Sequence, residues 1–165
     1  LLFAAIAVFA LGNVNAQDGG FKAGIHAGLP MGDIKDVTSV NLGLDLAYMW
    51  NVGEGFEAGI TTGYTTYLGK TESETMFGVT IETEYEDISF VPVAATAQYL
   101  LTENIYLGAD LGYAVGVSED TDGGFLYQPK VGYQAEKFQV YLGYKGISLD
   151  GATASSLNLG VAFKF

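Results

Sequence analysis

The sequence predicts an all-β protein, an eight-stranded antiparallel up-and-down barrel whose strands cross a membrane. Three observations carry that prediction. Apolar residues recur at every second position in eight successive stretches, the period of a strand with one apolar face. None of those apolar-face positions holds Asp, Glu or Lys, although the chain has 19 acids and 7 lysines. The opposite face is built from glycine and polar residues, the inverse of a sheet that turns its outside to water.

The first segment reads as an address. Leu1 to Leu11 is an unbroken apolar run, followed by Val14-Asn15-Ala16 with small residues where a signal peptidase cuts. The run is too short for a membrane-spanning helix of ~20 residues, so residues 1–16 are expected to be a signal peptide, clipped at its start. The domain proper then covers residues 17–165 and begins at Gln17.

The strands follow in order. The first carries Phe21, Ala23, Ile25, Ala27 and Leu29 on its apolar face, the second Val40 to Trp50, the third Phe56 to Tyr64. Val91 to Leu101, Ile105 to Val117, Phe125 to Tyr133, Phe138 to Tyr144 and Leu157 to Phe165 complete the set. Most are close to the ~9–11 residues a tilted strand needs to cross a bilayer. Gly24/Gly28, Gly59/Gly63 and Gly108/Gly112/Gly116 imitate the small-xxx-small spacing of membrane helices. Lys22, His26, Glu57 and Asp110 interrupt those segments, so none is a credible helical span.

Connections alternate in length. Residues 30–39, 65–90, 118–124 and 145–156 are long; 51–55, 102–104 and 134–137 are short. Short turns on one rim and long loops on the other is the membrane-barrel arrangement, with the turns periplasmic. Aromatic residues gather toward the turn rim: Phe21, Tyr48, Trp50, Phe56, Tyr99, Tyr106, Tyr133, Phe138, Phe163 and Phe165. A second group, Tyr64, Tyr67, Tyr113, Phe125, Tyr127 and Tyr144, lies toward the loops. Two such girdles are expected at the two interfaces. The net charge of −12 concentrates in the long loops, with Asp33, Asp36, Glu72, Glu74, Glu82, Glu84, Glu86, Asp87, Glu119, Asp120, Asp122 and Asp150 against Lys35, Lys70 and Lys145. Within the longest, Val79 to Tyr85 alternates with a row of glutamates and predicts a strand protruding above the membrane, its charges discouraging edge-to-edge pairing.

Chemistry is sparse. With no Cys, one His and no Arg, disulfide frameworks, zinc sites and phosphate-binding surfaces are set aside. No cofactor is implied. The inward phase collects Lys22, His26, Asp45, Glu57, Asp110, Lys130 and Lys164, nearly balanced in sign. An unpaired charge there is costly, so these residues are expected to brace the barrel as a lumen cluster of ion pairs. His26 and Asp45 can meet across neighbouring strands, but no Ser joins them, and an enzyme is not expected. An eight-stranded interior is just wide enough to be filled by side chains.

The last strand, Ser156 to Phe165, carries Asn158, Gly160, Phe163 and terminal Phe165. With Ile105 to Tyr113 and Tyr127 to Tyr133, it resembles the small outer-membrane β-barrel domain proteins of Gram-negative bacteria, the OmpX-, OmpW- and OmpA-barrel-like group often labelled porin family. The resemblance covers the whole mature chain. It implies an outer-membrane location, contact with lipid and lipopolysaccharide, and a monomer. Asn158, Gly160, Phe163 and Phe165 would form an insertion signal read by the barrel-assembly machinery and periplasmic chaperones. The function expected is non-enzymatic, in envelope integrity or surface contact. The alternatives are an exported soluble barrel that binds a small apolar ligand inside, and a narrow channel for small solutes.

Overall fold

The computed structural model describes residues 19–165; the expected signal peptide lies outside them. Ten strands form: β1 (Gly19–Gly32), β2 (Thr38–Gly53), β3 (Phe56–Gly69), β4 (Thr71–Met76), β5 (Val79–Glu84), β6 (Ile88–Leu100), β7 (Ile105–Gly116), β8 (Gly124–Gln134), β9 (Phe138–Leu149) and β10 (Ala152–Lys164). Eight close into an antiparallel barrel in the order β1-β10-β9-β8-β7-β6-β3-β2, and β4 and β5 make a separate hairpin. Closure runs in register from Lys22 opposite Lys164 to Gly32 opposite Ala154. Every barrel strand therefore has two neighbours and no edge is left unpaired.

Strand length departs from expectation at one end. The eight barrel strands are 11 to 16 residues long, and all but the shortest exceed the ~9–11 a bilayer crossing needs. The extra residues lie at the end that carries the loops. Residues 145–156, expected as a long loop, are mostly strand, and β9 turns into β10 through Asp150 and Gly151 alone. The apolar alternation on the outer face stops at Tyr144 because Gly146 and Ser148 follow it. The backbone ladder nevertheless continues, pairing Ile147 with Ala154 and Leu149 with Ala152. The largest connection is the one between β3 and β6, which holds the hairpin.

The outer face of the barrel is apolar and open: Ile25, Leu29, Leu44, Ile60, Val93, Leu107, Leu111, Leu142 and Leu159 are all exposed. Inside, bulk is distributed by pairing large residues with glycine. Along one row of laterally paired residues stand Thr65, Gly43, His26, Gly160, Tyr141, Gly132 and Tyr106. A Cβ on Gly43 would lie 2.3 Å from the His26 ring, and one on Gly160 2.3 Å from the Tyr141 ring. Neither ring could hold its place beside an alanine. A second row reads Asn41, Gly28, Asn158, Gly143, Lys130, Gly108, Gln98 and Glu57, again with glycine between large side chains. The glycine content thus admits large polar groups into a narrow bore.

The inward phase predicts a polar lumen, but the bore is not polar throughout. At the loop end Tyr67, Phe90, Ala94, Ala114, Leu126, Ile147 and Ala154 form one buried apolar cluster, and Ile34 from the β1–β2 connection folds onto it. On the outside of β2, β3, β9 and β10 at this level stand Ser39, Thr66, Ser148 and Thr153, with Thr66 Oγ1 2.8 Å from Ser89 Oγ, while Met31 on β1, Val115 on β7 and Phe125 on β8 stay apolar and exposed. Apolar inside and hydroxyl outside is the arrangement of a barrel wall in water. Over that part of the circumference the polarity of the wall reverses part-way along the strands.

Candidate functional site: the lumen network

Below the apolar cluster the bore is filled by polar side chains in two layers. At the turn end, Lys22 Nζ donates to Glu57 Oε2 and to Gln98 Oε1, each at 3.1 Å. Gln98 Nε2 donates to Gln134 Oε1 at 3.0 Å, and Gln139 Nε2 to Gln98 Oε1 at 3.3 Å. Lys164 lies beside Lys22 and Glu57 in a vestibule of about 200 Å3 that Phe21, Asn51 and Phe165 also line.

The middle layer holds two assemblies. Lys130 Nζ donates to both carboxylate oxygens of Asp110, at 2.8 and 2.9 Å, and sits 5.6 Å from the centre of the Tyr141 ring, within cation–π range. Beside it, Asp45 Oδ2 receives the Tyr141 hydroxyl at 2.7 Å and faces His26 Nδ1 at 2.8 Å. His26 Nε2 lies 2.9 Å from Lys145 Nζ. A ring protonated on Nδ1 donates to Asp45 and accepts from Lys145, which satisfies both contacts at once. Thr65 Oγ1 completes the group, 3.2 Å from His26 and 3.4 Å from Lys145.

Between the layers remains a cavity of about 50 Å3, lined among others by Lys22, Gln98, Tyr106, Asp110, Lys130 and Tyr141. It has room for a few water molecules, which need polar partners of this kind. Asn158 is fully buried between Gly28 and Gly143, and among the described residues neither polar atom of its amide has a hydrogen-bond partner.

Each charged residue singled out from the sequence thus faces the lumen, and the pairs formed are Lys22 with Glu57, Lys130 with Asp110, and His26 with Asp45. Three assignments need correction. Lys145, placed in a solvated loop, is 2% exposed inside the barrel; it shares the parity of Gln139, Tyr141 and Gly143, which the continuation of β9 carries inward. Tyr106 and Tyr67, placed in the girdles, are buried in the bore at 1% and 0%, since they share the parity of Asp110 and of Gly63. Tyr141, a hub of the network, is legible only by extending that same inward phase.

The other aromatic residues of the two expected girdles lie on the outer wall. Phe21, Tyr48 and Trp50 stack edge to face in sequence, with ring centres 4.8 Å apart at both steps, and Phe56, Tyr99, Tyr133, Phe138, Phe163 and Phe165 are exposed at the turn end. Phe125, Tyr127 and Tyr144 form a tilted row toward the loops at 6.3 and 6.4 Å. No cluster of His, Asp and Glu among the described residues could hold a metal ion.

With closure, inverted polarity and strand order in view, comparison with solved structures is direct. Ail, the attachment invasion locus protein of Yersinia pestis, superposes with a TM-score of 0.58 at 14% identity, over 90% of this chain and 98% of Ail. Ail in a phospholipid bilayer nanodisc gives 0.53 at 16% identity, over 87% and 99%. A de novo designed transmembrane β-barrel gives 0.57 at 10% identity, over 92% of this chain and all of the design. The fold is that of a small transmembrane β-barrel. No protein-family model matches the chain, and no curated protein matches it.

Proposed function

We propose that the protein is a non-enzymatic outer-membrane β-barrel of a Gram-negative envelope, exported through a cleaved signal at residues 1–16. In this reading it anchors acidic connections and the β4–β5 hairpin at the cell surface, in a structural or surface-contact role. One observation carries the proposal: a charge-free apolar exterior encloses an ion-paired polar interior, an arrangement that water would punish on both faces and hydrocarbon favours on both. The hydrocarbon band ends below the apolar cluster of the bore, at the row of Tyr64, Tyr113, Tyr127 and Tyr144, above which hydroxyl side chains take over the outside of β2, β3, β9 and β10. Phe21, Tyr48, Trp50, Phe56, Tyr99, Tyr133 and Phe138 mark the opposite, periplasmic interface. Acids near the upper rim suit divalent-cation bridging to lipopolysaccharide.

The enclosed space in the lumen, about 50 Å3, and the vestibule of about 200 Å3 at the turn end both lie below the ~300–1,000 Å3 of a small-molecule pocket, which argues against storage of an apolar ligand. The apolar cluster above it argues against a continuous water path. Asn158, Gly160, Phe163 and Phe165 act as the signal for the assembly machinery and its chaperones. The amide of Asn158, without a partner among the described residues, supports this, because a group that weakens the finished barrel needs another reason to be there.

Membrane fractionation combined with gel migration of unheated and heated samples tests the reading. The expected result is recovery in the outer-membrane fraction with a heat-dependent shift, and no steady porin-sized conductance in planar bilayers. A detergent-free soluble monomer would overturn it.

A further inference from the structure

The hairpin of β4 and β5 stands clear of the barrel, with every residue of both strands exposed. It is held only at its base, where the Lys70 amide donates to the Val37 carbonyl at 2.9 Å and Gly69 N–H to Asp87 Oδ1 at 2.8 Å. A lone two-stranded ribbon is marginal in water, and this one spends its tip unusually. The two-residue turn is Phe77-Gly78, with φ of +51° and +79°. Positive φ at both places is the signature of a type I′ turn, which strongly favours Asn-Gly. A bulky aromatic in that region is an outlier, and such outliers concentrate where a ligand is held. Phe77 gains nothing from the fold in exchange, since it is fully exposed.

Register separates the ribbon into two faces. Met76 opposes Val79, Glu74 opposes Ile81 and Glu72 opposes Thr83 on one; Thr75, Ser73 and Thr71 oppose Thr80, Glu82 and Glu84 on the other. The first face is therefore apolar at the tip, where Met76, Val79 and Ile81 are exposed, and acidic toward the base.

Building on the surface-display reading above, we propose that the β4–β5 tip is a protein-binding element whose partner offers an apolar cleft for Phe77 rimmed by Lys or Arg for Glu72 and Glu74. Charge complementarity selects this occupant. A second copy of the chain or an anionic lipid surface would bring like charge against the glutamates, whereas a basic rim is drawn to them and an aromatic anchor in a cleft supplies the affinity.

The test uses the full chain in phosphatidylcholine nanodiscs, exposed to phage-displayed random peptides with empty nanodiscs for counter-selection. Enriched peptides are expected to combine Lys or Arg with an aromatic or aliphatic residue. A synthetic consensus peptide should bind Phe77→Asn about tenfold more weakly, the loss of one aromatic anchor, although Asn-Gly suits the turn better. Glu72→Gln with Glu74→Gln should weaken binding and steepen its loss with salt less; Glu82→Gln with Glu84→Gln should leave binding near the parent value. Equal binding by Phe77→Asn, an acidic or uncharged consensus, equal effects of the two glutamine pairs, or no enrichment over empty nanodiscs would each overturn the proposal. A chain that stays a detergent-free monomer refutes the membrane reading instead, and the same selection on that soluble form still decides the tip.

Discussion

The Lys130–Asp110 pair offers the sharpest test of whether the lumen is sealed. Both carboxylate oxygens accept from Lys130 Nζ, at 2.8 and 2.9 Å, and the two side chains are 15% and 8% exposed. Asp110→Ala leaves the ammonium beside a cavity of about 50 Å3, too small for bulk hydration. Breaking a buried pair in this way costs about 3–5 kcal/mol. Lys130→Met strands the carboxylate and should cost the same. Replacing both, Asp110→Leu with Lys130→Met, removes the desolvation penalty with the attraction and should return to within about 1 kcal/mol of the parent. Urea titration of the chain in lipid vesicles measures all four proteins, with Trp50, the sole tryptophan, as the fluorescent reporter and heat-dependent gel mobility as a second probe. Single variants within about 1 kcal/mol of the parent would mean that the pair behaves like an exposed one. The sealed, ion-braced bore would then be wrong.

Other variants probe the outer wall, the packing rule and assembly. Ile60→Arg, exposed on the outer wall of β3 midway between Phe56 and Tyr64, should cost about 2–4 kcal/mol in vesicles at the bilayer midplane; a neutral result in the same titration would count against lipid exposure. Gly160→Ala drives a methyl into the Tyr141 ring at 2.3 Å, and the expected overpacking of about 1–3 kcal/mol should come with an altered tyrosine near-ultraviolet spectrum as the Tyr141–Asp45 contact shifts. Asn158→Leu should leave the urea midpoint unchanged or raised while slowing accumulation of heat-modifiable protein in cells. If assembly is unaffected, Asn158 has no part in an insertion signal.

The designed barrel that superposes at 10% identity shows how much of such a fold resides in pattern. Leu44 and Leu142 could be any apolar residues and serve; what the fold needs is their alternation with a small or polar set. That alternation depends on nearest neighbours along the chain, so it can be read directly, and it correctly put His26 and Asp45 on one face of adjoining strands. What escaped it depends on where strands stop. Lys145 and Ile147 lie beyond the apolar alternation of β9, on a stretch whose outer face has already changed to Gly146 and Ser148. Tyr67 and Tyr106 resemble interface aromatics because ring chemistry suits both an interface and a crowded interior, and only strict parity separates the two.

The sequence by itself determined the closed all-β architecture, the inverted polarity of the wall and the inward set of charges, because a period of two and the cost of charge in an apolar medium are both local rules. The tertiary structure alone decided who meets whom. Partners on different strands, such as His26 with Lys145 or Tyr141 with Asp45, are fixed by register and closure, which arise from every strand pairing at once. It also decided that the bore changes from polar to apolar along its length, since that boundary is set by how far the assembled ladder extends past the last apolar outer residue.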